Sequence, residues 1–204
     1  MNLSRDAIIN LRAPPSLARA PAASGSPDAN WQPPTLSFIE GTWHICQSTS
    51  DTADQRTAVN LTLSGSGSSE AVTLTSTSTH GDKSSTSEET PLDLQDGCAS
   101  SFSSSSNKGT ESLRWDVLAW GKEGQLEDWM IEDGDGWISD SSGERRADWR
   151  DSFVVVWVVA GEREGKGVVE VWNRFGKPGL RGETVSKIQK ALKEVGVEGD
   201  LVRV

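Results

Sequence analysis

The chain has 204 residues, with 20 Lys and Arg against 30 Asp and Glu, a formal net charge of −10. That length suits one domain of ordinary size with a tail, and a hydrophobic fraction of 34% supports a packed core of modest extent. No apolar run approaches the roughly 20 residues needed to span a bilayer, and the acidic balance disfavours phosphate backbones and anionic lipid surfaces, so transmembrane, collagenous and general nucleic-acid-binding classes are excluded.

Residues 1–35 are rich in Ala, Pro and Ser without sustained periodicity and are expected to form a disordered leader. Arg5, Arg12 and Arg19 are not followed by the continuous apolar run of a secretory signal, so cytoplasmic residence is expected. Order should begin at Leu36-Ser37-Phe38-Ile39 and continue over a single domain, residues 36–204. Residues 42–49 then alternate Trp43, Ile45 and Gln47 against Thr42, His44 and Cys46, and Val59, Leu61, Leu63, Val72 and Leu74 keep the same period among threonines. Both patterns predict strands. The segment 80–109 is loaded with Ser, Thr and acidic residues and reads as a loop region, with a weak strand near Leu92, Leu94 and Phe102.

The second half is better patterned. Residues 113–120, 126–132, 153–160 and 168–174 are strand candidates, the first pair joined by a turn at Gly121-Lys122-Glu123-Gly124 and the last pair by 161–167. A further turn at Asp133-Gly134-Asp135-Gly136 leads into a short strand at Trp137-Ile138. One helix follows: Val185, Ile188, Leu192 and Val195 recur at three- and four-residue spacing, Thr184 can cap the start, and Gly196 stands where a left-handed terminator is needed. Short antiparallel strands followed by one amphipathic helix predict an all-β chain, an up-and-down antiparallel barrel with the helix outside, because closure removes exposed sheet edges.

The two ends of this barrel carry a resemblance. Gly41-Thr42-Trp43 opens the first strand, and Val171-Trp172-Asn173-Arg174 is followed by Pro178-Gly179-Leu180, a helix over 184–195 with Gly196 behind it, and Leu201-Val202. This resembles the lipocalins of the calycin group, which start at Gly-x-Trp and end on a strand, an arginine, a turn, a helix and a short hydrophobic segment. The resemblance implies that Arg174 lies against Trp43 across the closed end of the barrel. A guanidinium over an indole contributes about 0.5–2 kcal/mol and excludes water.

Nine tryptophans and no tyrosine are an unusual aromatic set for this length. Tryptophans either fill and cover a barrel or line a pocket, and an eight-stranded barrel is just wide enough for one small ligand. Trp115, Trp129, Trp157 and Trp172 are therefore candidate ligand-binding residues, joined by Ile45 and Gln47 on the parity of Trp43. On the last strand Glu170, Trp172 and Arg174 share one face while Val169 and Val171 share the other. If the Trp172 face is interior, Glu170 is a carboxyl group in an apolar cup and a candidate catalytic acid or base; if the valines are the core, Glu170 faces solvent.

Other chemistry finds little support. His44 and His80 lie far apart, Cys46 and Cys98 form no CxxC pair and show no base, and Trp137 blocks the calcium-loop register of Asp133 and Asp135, so no metal or cofactor is expected. The cluster at 144–151 reads as a solvated loop with internal ion pairs. The expected function is binding of a small, largely apolar molecule inside the barrel, without nucleic-acid or membrane partners. The alternative is a cofactor-independent cyclase or isomerase of pericyclase type in specialised metabolism, acting on a polyketide- or terpenoid-like substrate by orientation and water exclusion. A third class is a fully packed interaction module, and fold alone does not choose among them.

Overall fold

Alternating apolar side chains and strand-forming threonines build a wall that closes on itself. The computed structural model describes residues 9–15, 31–50, 56–64, 71–80, 83–86, 90–94, 100–104, 112–122, 137–139, 145–147, 152–160, 167–174 and 179–204. A one-turn helix α1 (Leu36–Ile39) leads into β1 (Gly41–Ser48), β2 (Arg56–Ser64), β3 (Ala71–His80), β4 (Lys83–Thr86), β5 (Thr90–Leu94), β6 (Ser101–Ser104) and β7 (Leu113–Lys122). There follow β8 (Trp137–Ser139), β9 (Arg145–Ala147), β10 (Ser152–Ala160), β11 (Gly167–Asn173), the helix α2 (Gly182–Glu194) and β12 (Val202–Arg203).

Antiparallel pairing runs in the order β11-β10-β7-β6-β5-β3-β2-β1, and β11 pairs back onto β1. Among the described residues this closes eight strands into an up-and-down barrel with a C-terminal helix, the lipocalin-like fold expected from the sequence. β4 and β5 share one place in the wall: β4 pairs with residues 77–80 of β3, and β5 pairs with 72–74. The serine-rich region thus contributes β4, β5 and β6 to the barrel and is not simply a loop. Backbone pairing is indifferent to side-chain polarity as long as one face stays apolar, which Leu92 and Phe102 provide.

The wall is buried on both sides over β7, β10 and β11. On β10, Val154, Val156 and Val158 join the inner core, while Phe153, Val155 and Trp157 join an outer core with Val169, Val171, Ile188 and Leu192. Two-sided burial explains why β10 reads Phe-Val-Val-Val-Trp-Val-Val without alternation. α2 lays its apolar stripe over this outer face. It begins earlier than expected: Arg181 is the N-cap, without a side-chain hydrogen bond, and Thr184 is buried inside the first turn. Gly196, at φ +85°, ends it as the sequence predicted.

Part of the expected leader also lies on the barrel. Ile9 and Leu11 are buried in the outer core. The Arg12 N–H donates to Leu118 O, and its guanidinium donates to Val117 O and Ser100 O while lying 4.2 Å over the Trp31 ring. These contacts occupy the edge of β7 beyond Arg114–Asp116, where pairing with the short β6 stops. The proposed hairpin between 113–120 and 126–132 cannot be followed, since 126–132 falls outside the described residues; the long pairing of β7 is with β10. Trp137 and Ile138 do form a short strand, and it pairs with Arg145–Ala147 of the charged cluster. Among the described residues no helix is long and apolar enough to cross a membrane.

Ile188 and Leu192 are fully enclosed between α2 and the wall. Leu192→Ala is therefore expected to lower the unfolding free energy by about 2–5 kcal/mol, read as a lower urea midpoint at unchanged slope. Lys190→Ala, on the exposed side of the same helix, should stay within about 0.5 kcal/mol of the parent.

Candidate functional site

The closed end sets the geometry of everything above it. Thr35 caps α1 by accepting from Phe38 N, and the Trp43 indole N–H donates to Ile39 O at 2.6 Å. The Arg174 guanidinium lies 4.1 Å over the Trp43 ring and donates from Nη2 to Phe38 O and Glu40 O, each at 2.6 Å. Gly41 adopts φ +105°, and a Cβ there would stand 2.5 Å from Arg174 Nη1, so both backbone conformation and space require glycine. Burial lowers the Arg174 pKa to about 10, with the Glu40 charge acting in the opposite direction. The group remains a cation at neutral pH. Phe38 packs against both Trp43 and Trp120, at centroid distances of 5.7 and 4.8 Å, and completes an aromatic floor.

From Arg174 the parity of β11 carries Trp172 and Glu170 up the inner face. Trp172 stands between Ile45 of β1 and Val154 of β10, and Glu170 between Ser48 and Val156. The Trp172 indole N–H donates to Glu170 Oε2 at 2.9 Å, with both side chains buried. Of the two faces of β11, then, both are core: the valines pack under α2, and Glu170 with Trp172 faces the barrel interior. Farther from the floor Trp115, paired with Phe102 and Val158, adds a second indole to the inner wall.

Two expected wall residues belong elsewhere. Gln47 shares the parity of Ile45 only if β1 is regular, but its register with β11 shifts between Ile45 and Gln47. The extra residue, Cys46, turns Gln47 opposite Val171 on the outer side and brings Ser48 opposite Glu170. Trp157 pairs with Val169 and packs in the outer core, its ring against the backbone of Gly167. The unbroken apolar run of β10 hid this parity. Trp129 falls outside the described residues.

Asp116 is a buried carboxylate that sequence reading did not single out. Its Oδ1 accepts from Ser101 Oγ at 2.7 Å and from Arg114 Nε and Nη2 at 3.2 and 3.0 Å, pinning β6 to β7 on the outer side. The only sequence signal was Arg114 two residues away on the same strand face. Glu170 is thus the buried carboxyl group of the inner wall among the described residues. Among the same residues no three His, Cys, Asp or Glu side chains gather as metal ligands. An open groove beside α2 is lined by Gln189, Lys193 and Leu201 and includes none of these inner-wall residues.

No family model matches the chain, and no curated protein matches it. Solved structures similar to it include the major allergen Per a 4 from cockroaches, at a TM-score of 0.49 and 11% identity over 83% of this chain and 87% of that one. Another is the siderocalin Ex-FABP, described as functioning through dual ligand specificities, at a TM-score of 0.42 and 13% identity over 77% of this chain and 86% of that one.

The indole–carboxyl contact should be measurable as a coupling. Trp172→Phe removes the donor from a buried acceptor and is expected to cost about 1–3 kcal/mol. In a urea-unfolding cycle with Glu170→Gln, the two changes should be non-additive by about 0.5 kcal/mol or more; additive losses would mean that the contact contributes nothing.

Proposed function

We propose that the barrel binds one small, largely apolar molecule between its inner walls. The observation that carries this reading is the make-up of that wall: aliphatic side chains, the indoles of Trp115 and Trp172, and one carboxyl group, Glu170, held by the Trp172 N–H. A largely apolar surface with a single oriented polar group is what a small-molecule site requires, and a barrel of eight strands has the matching width. The apolar surface gives affinity, and Glu170 with the neighbouring Ser48 hydroxyl orients whatever polar end the ligand has.

The uncharged fluorophore N-phenyl-1-naphthylamine tests this directly. It should gain emission saturably at one molecule per chain and quench tryptophan fluorescence in parallel. Trp115→Ala should weaken binding by roughly tenfold, about 1.4 kcal/mol, while Gln47→Ala, on the outer side of β1, should leave it unchanged. Emission that never saturates would reject the binding reading.

Glu170 itself favours a second reading, in which the barrel is a cofactor-independent cyclase or isomerase for a hydrophobic polyketide- or terpenoid-like chain. There the walls fold the substrate and exclude water, and Glu170 donates or accepts one proton. On this reading, incubation with a linear polyene precursor yields a cyclised product, and Glu170→Gln loses product formation while the affinity for the fluorophore stays within about twofold. The same products with and without protein would eliminate it.

A further inference from the structure

Ser152 is a fully buried hydroxyl at the foot of an otherwise apolar strand. Its carbonyl accepts from Arg174 N at 3.3 Å, one step beyond the paired Phe153 and Asn173. Ser152 and Arg174 therefore stand opposite each other and share the inner face of Val154 and Trp172. On its other side Ser152 pairs with Lys122 of β7. The hydroxyl thus sits in register between two cationic residues at the closed end of the barrel.

Two atoms of this row are enclosed and lack a hydrogen-bond partner among the described residues: Ser152 Oγ and Arg174 Nε. Among the described residues the remaining direct contacts of the guanidinium are two backbone carbonyls and the face of Trp43, with the Glu40 charge acting on it as well. Among the described residues no carboxylate forms an ion pair with it, since Glu40 presents its backbone carbonyl and its side chain is exposed. Burial already weighs against the charged form of Arg174. Enclosed donors are normally satisfied, and enclosed charges are normally balanced. The exposed Glu40 charge supports the half-buried cation, while Arg174 Nε and Ser152 Oγ have no acceptor among the described residues.

We propose that a single small anion of the size of chloride sits between Arg174 Nε and Ser152 Oγ, accepting a hydrogen from each and balancing the guanidinium. The anion would link β10 to β11 at the point where the barrel closes, and it would hold Arg174 in place over Trp43.

The thermal midpoint of the whole protein, titrated with sodium chloride against sodium gluconate at matched ionic strength, tests the site. A ligand that binds only the folded state raises the midpoint with the logarithm of its concentration, so chloride should stabilise beyond gluconate. That difference should vanish in Ser152→Ala, which removes the hydroxyl while keeping the packing. Crystals soaked in sodium bromide should show an anomalous peak between Arg174 Nε and Ser152 Oγ, a readout that needs no variant. Superimposable chloride and gluconate curves, a chloride effect that persists in Ser152→Ala, or a bromide-soaked crystal with only water at that point would each overturn the proposal.

Discussion

The Arg174 guanidinium, stacked on the Trp43 indole and bonded to the carbonyls of Phe38 and Glu40, joins the two ends of the barrel. β1 and β11 are far apart in the chain, and their pairing is the step that turns a sheet into a closed wall. The stack fixes that pairing from one side, because a cation desolvated between a ring and two acceptors tolerates little displacement. Gly41 is the local condition for it: any side chain there would occupy the space of Arg174 Nη1. Once Arg174 faces inward, the period of two in a strand leaves no choice for Trp172 and Glu170, which must line the interior.

The second constraint is that the wall has cores on both sides. α2, with residues 9–12 of the N-terminal segment, covers the outer face of β7, β10 and β11, so the valines of β11 are buried without competing for the interior. This arrangement lets a carboxyl group occupy the inner face. Stability for these strands comes from the outer core as well as the inner one, and the interior is correspondingly free to carry a polar group. The inner face can therefore carry a carboxyl group while the outer face of the same strands adds a packed core.

How far the chain could be read without coordinates depended on the kind of signal. The strands at 42–49, 153–160 and 168–174 and the helix with its glycine terminator follow from local periodicity, while the meeting of Trp43 with Arg174 is what the resemblance of the two ends implied. Glu170 and Trp172 were recognisable as a pair on one face, though which face was interior was open. Gln47 and Trp157 were misplaced for separate reasons. A bulge at Cys46 inverts parity without any glycine or proline to mark it, and a strand buried on both sides carries no alternation to read. Ser152 and the ordered residues 9–12 gave no signal because their partners are distant in sequence, and Asp116 gave only the nearby Arg114.

The sequence by itself determined the class of fold, several of its strands and its helix, because these depend on periodicity and on short motifs that act within a few residues, and the resemblance of its two ends implied the two residues that close it. Only the tertiary structure decided which side of each strand is interior, where register slips, and that Glu170 faces the barrel interior with Ser152 enclosed between Arg174 and Lys122. Those properties arise from pairing between remote segments. A one-residue shift in register, invisible in composition or period, exchanges the two faces of a strand and with them the contents of the site.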